Sequence, residues 1–291
     1  MSAHTPLTAF VLGAGLGTRL RPLTARRPKP LIPVGGRPLI THAFDHLLAL
    51  GVERFVVNTH WCAGRYGEFF PEGQWRGRLV IFIEETPEVL ETAGGIWNAR
   101  ELLGGGPFVV YNGDILSDLP LAEARAAHAA AGNEVTLILR TRGENRNVAF
   151  DPASGRVLDL RRTLRPELEP QHLFTGIYFV EPRFIARIPA GEKLSVVPIF
   201  HTMIRESAKL GGCVLDGGDW RDLGTREEYL AACATLGQSQ WIAPSAQIGA
   251  GAELHDCLVW ENAVVAPGAK LTRCVVTDGA RAEGEWVGRD F

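Results

Sequence analysis

The chain has 291 residues, 46% of them hydrophobic and 22% charged, with a formal net charge of −3, which excludes a disordered polar segment and a broadly basic nucleic-acid binder. No apolar run approaches the ~20 residues of a membrane span, and the first residues lack the charged and apolar stretches of a signal peptide, so a cytoplasmic protein without a membrane partner is expected. Cys62, Cys213, Cys233, Cys257 and Cys274 are odd in number and show no C-x-x-C spacing, which argues against a disulfide framework or a zinc site.

In chain order, the first predicted strand, residues 9–12, runs into Gly13-Ala-Gly-Leu-Gly-Thr-Arg-Leu-Arg-Pro-Leu-Thr-Ala-Arg-Arg-Pro-Lys-Pro-Leu-Ile-Pro-Val34. Gly13, Gly15 and Gly17 lack a Cβ, so the backbone is free to take φ > 0 and to bring N–H groups against an anion or a base edge. Arg19, Arg21, Arg26, Arg27 and Lys29 then place five cations within eleven residues of a net-negative chain. The stretch reads as a clamp for a nucleoside triphosphate. A Rossmann fingerprint needs G-x-G-x-x-G and an immediate helix, whereas here the third glycine comes one residue early and Pro22, Pro28, Pro30 and Pro33 interrupt any helix. A P-loop needs Gly-Lys followed by Ser or Thr, and that is missing. A solvated cationic loop or a nucleic-acid patch has no need of a strand, a glycine turn and prolines in this order.

Further along, residues 39–50 carry a helical face of Ile40, Phe44, Leu47 and Leu48, stopped by Gly51. Residues 55–57, 79–83 and 108–111 read as buried strands separated by helical patterns such as 96–103; 121–131 reads as a helix and 135–139 as a strand. The alternation predicts an α/β fold with a mainly parallel sheet covered by helices. Ligands of such sheets sit beyond the carboxyl ends of the strands, where the glycine loop and Asp114 fall. Taken alone, Asn112-Gly113 before Asp114 also signals an ordinary hairpin. Residues 148–162 read as a β-hairpin turning at 152–155. Asp222 follows the strand-like 213–215 and precedes a helix entry, with Thr225 as N-cap and Glu228 three residues on.

The glycine stretch resembles the signature of the sugar-1-phosphate nucleotidyltransferases, G-x-G-[ST]-R-[LM]-x-P-L-T followed by P-K-P, at Gly13, Gly15, Gly17, Thr18, Arg19, Leu20, Pro22, Leu23, Thr24, Pro28, Lys29 and Pro30. The resemblance continues through Leu90-Glu-Thr-Ala-Gly-Gly-Ile96, Asn112-Gly-Asp114, Phe174-Thr-Gly-Ile177 and Trp220-Arg-Asp-Leu-Gly-Thr225, over about the first 235 residues. Within the family these segments look most like the uridylyltransferases acting on N-acetylmuramate 1-phosphate, with the mannose-1-phosphate guanylyltransferases close behind.

The resemblance implies a nucleotide-diphospho-sugar transferase fold, Rossmann-like with a mixed sheet, and condensation of a nucleoside triphosphate, UTP favoured over GTP, with a sugar 1-phosphate. Arg19, Lys29 and Asp114 are then expected to be catalytic, and Asp114 and Asp222 to hold Mg2+, which favours carboxylates plus substrate phosphates. Leu12, Gly13, Ala14, Gly15, Gly17, Thr18, Glu84, Glu91, Thr92 and Asn112 are the nucleotide-side expectations. On the sugar side, the lysine that many relatives carry after the hairpin is missing, leaving Arg161 or Arg162 for the phosphate, with Asn147, Thr175 and Gly176 beside them. A non-catalytic regulatory relative is the alternative from another class, which loss of Arg19, Lys29, Asp114 or Asp222 would have favoured.

The catalytic domain is expected to end at residue 238. Within 239–291, residues 242–258 align with 259–275 without a gap, a period of seventeen, with aliphatic steps of six, six and five at Ile242, Ile248, Leu254, Val259, Val265, Leu271 and Val276. This is the hexapeptide pattern of a left-handed parallel β-helix, here two full coils and a worn third with Trp286 and Phe291 at its end. So short a solenoid is expected to dock on the catalytic domain, on another subunit as a homo-oligomer, or both, and His255 in it reads as a surface or packing residue.

Overall fold

The computed structural model describes residues 6–291; the reading of the amino terminus concerns residues 1–5 and lies outside them. By contacts the chain divides into two units, the first containing the residues up to Gly15 and His42–Trp220, the second Leu16–Thr41 and Arg221–Phe291. The signature stretch is thus cut after Gly15, and most of it clusters with the carboxyl-terminal residues. This division differs from the expected 238/239 boundary; the first strand of the repeat is Trp241–Ile242.

The first unit is built on a ten-stranded sheet in the order Val148–Asp151, Arg156–Leu160, Leu210–Val214, Val135–Arg140, Leu173–Val180, Phe108–Asn112, Leu7–Leu12, Val52–Thr59, Arg78–Glu84, Gln74–Trp75. Seven strands share one direction; Gln74–Trp75, Leu173–Val180 and Arg156–Leu160 oppose them. The sheet is therefore mixed, mainly parallel by direction, with an antiparallel strand at its centre. The central strands Leu7–Leu12 and Phe108–Asn112 are almost wholly buried, as continuous apolar runs demand.

The helix expected over 96–103 is instead two, Glu91–Asn98 and Arg100–Leu103, and the first starts five residues earlier. Its Gly94-Gly95 pair looks like a helix breaker but meets a packing demand. A Cβ on Gly94 would lie 2.5 Å from the Glu192 carbonyl oxygen, and one on Gly95 2.8 Å from Glu85 Oε1. Helices Gly64–Phe69 and Val196–Arg205 were not anticipated; the latter buries Val196, Ile199, Phe200 and Met203 in the core that includes Phe10, Tyr178 and Phe184.

In the second unit, Thr18–Leu20 and Lys29–Leu31 form short 3-10 turns, as the prolines require, and Arg226–Thr235 is a helix entered through a capping box of Thr225 and Glu228. The repeat forms three parallel three-stranded sheets. Register follows the seventeen-residue period: Ile242 pairs with Val259 and Val259 with Val276, Ile248 with Val265, and Leu254 with Leu271. The last step is shorter, Leu271 meeting Trp286. Val259, Val265, Leu271 and Val276 are buried, whereas Ile242 and Ile248, in the first turn with a neighbour on one side only, are 37% and 40% exposed.

Candidate active site

In the first unit the carboxyl ends of the parallel strands form one edge: Leu12 sits in register with Asn58 on one side and Asn112 on the other. The turn after Leu12 is held from both sides. Gly13 N–H donates to Asn58 Oδ1 at 2.9 Å, and Tyr66 OH donates to the Gly13 carbonyl at 3.0 Å. A Cβ on Gly13 would come within 2.7 Å of the Asn58 carbonyl oxygen and 2.8 Å of Tyr66 Oη, so glycine is required by close approach. Positive φ occurs at Gly17 alone among the three signature glycines. Gly15 is exposed, with nothing within 4 Å of a would-be Cβ and no positive φ, so neither packing nor backbone strain asks for glycine there.

Asn58 Nδ2 donates to Glu85 Oε1 at 2.8 Å, and Glu85 Oε2 accepts the Leu90 N–H at 2.8 Å, linking the Gly13 turn to the entrance of helix Glu91–Asn98. Burial pushes the Glu85 carboxyl up, opposed by these two hydrogen bonds. Glu84, the expected residue, is the exposed last residue of its strand, one step from this network; Glu91 is exposed at φ 60° and Thr92 is half-buried. Asp114 follows strand Phe108–Asn112, half-buried after the turn at Gly113, whose N–H donates to the Leu12 carbonyl at 2.9 Å. Burial, and then the Asp114 charge, hold the Tyr66 phenol well above its usual range.

On the sugar side, Gly176 at φ 76° lies against Asn112, a Cβ there falling 2.5 Å from Asn112 Nδ2. Thr175 is buried and its hydroxyl donates to the Ile138 carbonyl at 2.9 Å, while its own carbonyl accepts Trp220 Nε1 at 2.9 Å, so Thr175 shapes this corner from within. Asn147 accepts the Phe174 N–H through Oδ1 at 3.4 Å and the Arg161 N–H through its carbonyl at 2.6 Å. Arg161 and Arg162 both have positive φ and exposed side chains, and Arg162 is paired with Glu169.

In the second unit, Thr24 Oγ1 donates to the Gly17 carbonyl at 2.6 Å and fixes the turn that carries exposed Thr18 and Arg19. The Arg19 guanidinium rests against Gly224, where a Cβ would lie 3.1 Å from Nη1. Lys29 is 7% exposed and its Nζ lies 3.3 Å from Asp222 Oδ1. Arg27, counted among the clamp cations, is otherwise employed: its side chain is 1% exposed and pairs with Glu261 and Asp278. Among the described residues no three His, Cys, Asp or Glu side chains gather as a metal cage. Asp114 and Asp222 are hard carboxylate donors of the kind that Mg2+ takes one or two at a time, the rest of its octahedron coming from phosphates and water.

Asn58, Tyr66 and Glu85 escaped sequence reasoning. The trace they leave is slight: a polar residue closing the apolar run Phe55-Val-Val-Asn58, and a second glutamate after Glu84.

The nucleotidyl transferase family model matches residues 8–239. Mannose-1-phosphate guanylyltransferase of Mycobacterium tuberculosis is 32% identical over 99% of this chain and 84% of its own length. N-acetylmuramate alpha-1-phosphate uridylyltransferase of Caulobacter vibrioides is 33% identical over 81% of this chain and 100% of its own. Among solved structures, a glucose-1-phosphate thymidylyltransferase assignment from Bacillus anthracis superposes with a TM-score of 0.69 at 20% identity, covering 81% of this chain and 97% of that one, a likeness of fold. No helix among the described residues is long and apolar enough to cross a membrane. With the signature glycines, the carboxyl-edge Asp114 and these matches in agreement, the chain belongs to the nucleotidyl transferase family and is an enzyme of that class.

Proposed function

We propose that the protein condenses a nucleoside triphosphate with a sugar 1-phosphate, releasing pyrophosphate, in the cytoplasm. The observation that carries this reading is Gly15, a glycine that neither packing among the described residues nor its own backbone conformation requires, between a tightly held Gly13 and the cationic loop. A ligand approaching the backbone is what such a position accommodates. Leu12, Gly13, Ala14 and Gly15 line the nucleotide with backbone groups, together with Gly17, Thr18 and Asn112, and Glu84, Glu91 and Thr92 lie towards the base.

The sugar phosphate oxygen is already ionised, so its in-line attack on the α-phosphorus needs no general base, and catalysis rests on positioning and charge. Arg19 forks onto phosphate oxygens as charge develops, and Lys29 acts as a point cation. Asp114 and Asp222 would hold Mg2+, which when bound neutralises phosphate charge. On the sugar side, Gly176 and Asn147 border the substrate and Arg161 or Arg162 meets its phosphate. The repeat, in this reading, is a short left-handed β-helix.

For the base, Leu90-Glu-Thr-Ala-Gly-Gly-Ile96 favours UTP. A second reading, GTP with mannose 1-phosphate, is favoured by one observation: similarity to the Mycobacterium guanylyltransferase covers 99% of the chain, the repeat included, and that to the Caulobacter uridylyltransferase 81%. Pyrophosphate release with Mg2+, across the four nucleoside triphosphates and dTTP against N-acetylmuramate, N-acetylglucosamine, glucose and mannose 1-phosphates, tests both. One dominant pair, abolished by EDTA and restored by Mg2+, is expected; release that persists in EDTA removes the metal assignment to Asp114 and Asp222.

A further inference from the structure

Arg27 carries a guanidinium that the transfer chemistry does not explain. Its Nε donates to Asp278 Oδ2 at 2.7 Å, its Nη2 to Asp278 Oδ1 at 2.5 Å and to Glu261 Oε2 at 2.7 Å, and its Nη1 to the Leu31 carbonyl at 3.4 Å. The plane lies 5.1 Å from the centre of the Trp260 ring. Glu261 and Asp278 are seventeen residues apart, so successive turns of the repeat stack two carboxylates at one position, and the guanidinium fork matches them. Two carboxylates already oppose this cation, which removes it from the charge facing any phosphate.

Burying a guanidinium costs desolvation, and such clusters often give no net stability over an apolar filling. What this one fixes is geometry. Arg27 stands two residues before Lys29, and the repeat's Trp260 reaches the loop's far end through Tyr229 of helix Arg226–Thr235, whose OH donates to the Pro33 carbonyl at 2.8 Å and accepts Trp260 Nε1 at 3.2 Å. The repeat also holds the helix that follows Asp222. Arg226 Nε meets Asp290 Oδ1 at 2.8 Å and Nη2 donates to the Arg273 carbonyl at 2.7 Å.

We propose that the carboxyl-terminal repeat braces the signature loop through Arg27, a positioning residue that keeps Arg19 and Lys29 in register with Gly224 and Asp222. The inference rests on the transfer reading above. A displacement of about an ångström in a substrate-positioning group lowers rates on the order of 100-fold, so the brace is felt in turnover.

The test uses the full chain with Glu261→Gln and Asp278→Asn together, which keep side-chain volume and remove both charge partners. Expected are a cooperative melt, kcat lowered about 10- to 100-fold on the best substrate pair with the nucleotide KM within about threefold, and faster amide exchange across residues 17–34. Arg27→Lys, with a point charge in place of the fork, should fall between this variant and wild type. A folded double variant with wild-type kcat overturns the proposal, as does a lowered kcat without faster loop exchange or a change in KM alone. Should the double variant not fold, Glu261→Gln and Arg27→Lys singly are read by the same criteria. If the wild-type chain releases no pyrophosphate with any pair, the transfer reading falls, and loop exchange by itself decides whether the repeat holds the loop.

Discussion

The two units hold their share of the signature stretch by different physics. In the first, the turn at Gly13 is fixed by close approach and by the hydrogen-bonded chain Gly13, Asn58, Glu85 and Leu90. In the second, charge holds the loop: Arg27 with Glu261 and Asp278, Lys29 with Asp222, and beside them Arg226 with Asp290. The first kind of fixing tolerates no added atom, because backbone is in the way. The second tolerates volume and is sensitive to charge and fork geometry. A loop held so leaves Arg19 exposed for a ligand while its neighbours are locked.

The largest break in this comparison is expected at Arg19 itself. Arg19→Ala removes a group that nothing in the packing of its own turn needs, so the chain should melt as wild type while pyrophosphate release drops on the order of 10³-fold or more. Near wild-type turnover would take Arg19 out of the mechanism. Next comes a contrast between glycines. Gly13→Ala forces a Cβ to within 2.7 Å of the Asn58 carbonyl oxygen and is expected to cost about 1–3 kcal/mol in a denaturant titration, with nucleotide binding lost. Gly15→Ala meets nothing within 4 Å, so stability should hold or rise slightly while the nucleotide KM increases. Equal losses of stability at both positions would mean that Gly15 is structural and would remove the observation on which the proposed function stands.

The same contrast explains how much was legible in the chain. Strands with apolar runs, helix 121–131, the Thr225–Glu228 cap and the seventeen-residue period are local signals and were read close to where they lie. The resemblance implied a mixed sheet, but the local pattern did not mark which strand turns, because Leu173–Val180 runs antiparallel between two strands with which it shares no sequence neighbourhood. The helix at Glu91–Asn98 hid behind Gly94-Gly95, which serve close packing against Glu192 and Glu85 and not a turn. In the site, the glycines and Asp114 announce themselves by type and spacing. Arg27 looked like its neighbours Arg26 and Lys29, since its partners lie 234 and 251 residues away and no local pattern marks a pair so distant.

A smaller effect sharpens the second unit's side of the comparison. Tyr229→Phe removes one hydroxyl that donates to the Pro33 carbonyl and accepts from Trp260 Nε1, leaving the ring and its edge contact with Trp260 in place. The loss should be about 1–3 kcal/mol in unfolding free energy, the cost of leaving buried partners unmet. If the charged cluster alone holds the loop, kcat is unchanged; if Tyr229 shares the load, amide exchange at residues 31–36 accelerates with it.

The smallest structural effect is expected at Arg162, and it separates the sugar side from both loop anchors. Arg162 and Glu169 form an exposed pair, each side chain about half open or more, and such pairs contribute roughly 0–1 kcal/mol because water screens them and two long side chains lose freedom. Arg162→Ala should therefore leave the melting curve nearly untouched. Its φ of 54° is unfavourable for alanine and arginine alike, so the backbone term largely cancels. A raised KM for the sugar 1-phosphate with the nucleotide KM unchanged would assign the phosphate contact to Arg162. An unchanged sugar KM would return the residue to its pairing with Glu169 and leave Arg161, also exposed and also at positive φ, as the remaining cation to test after the hairpin.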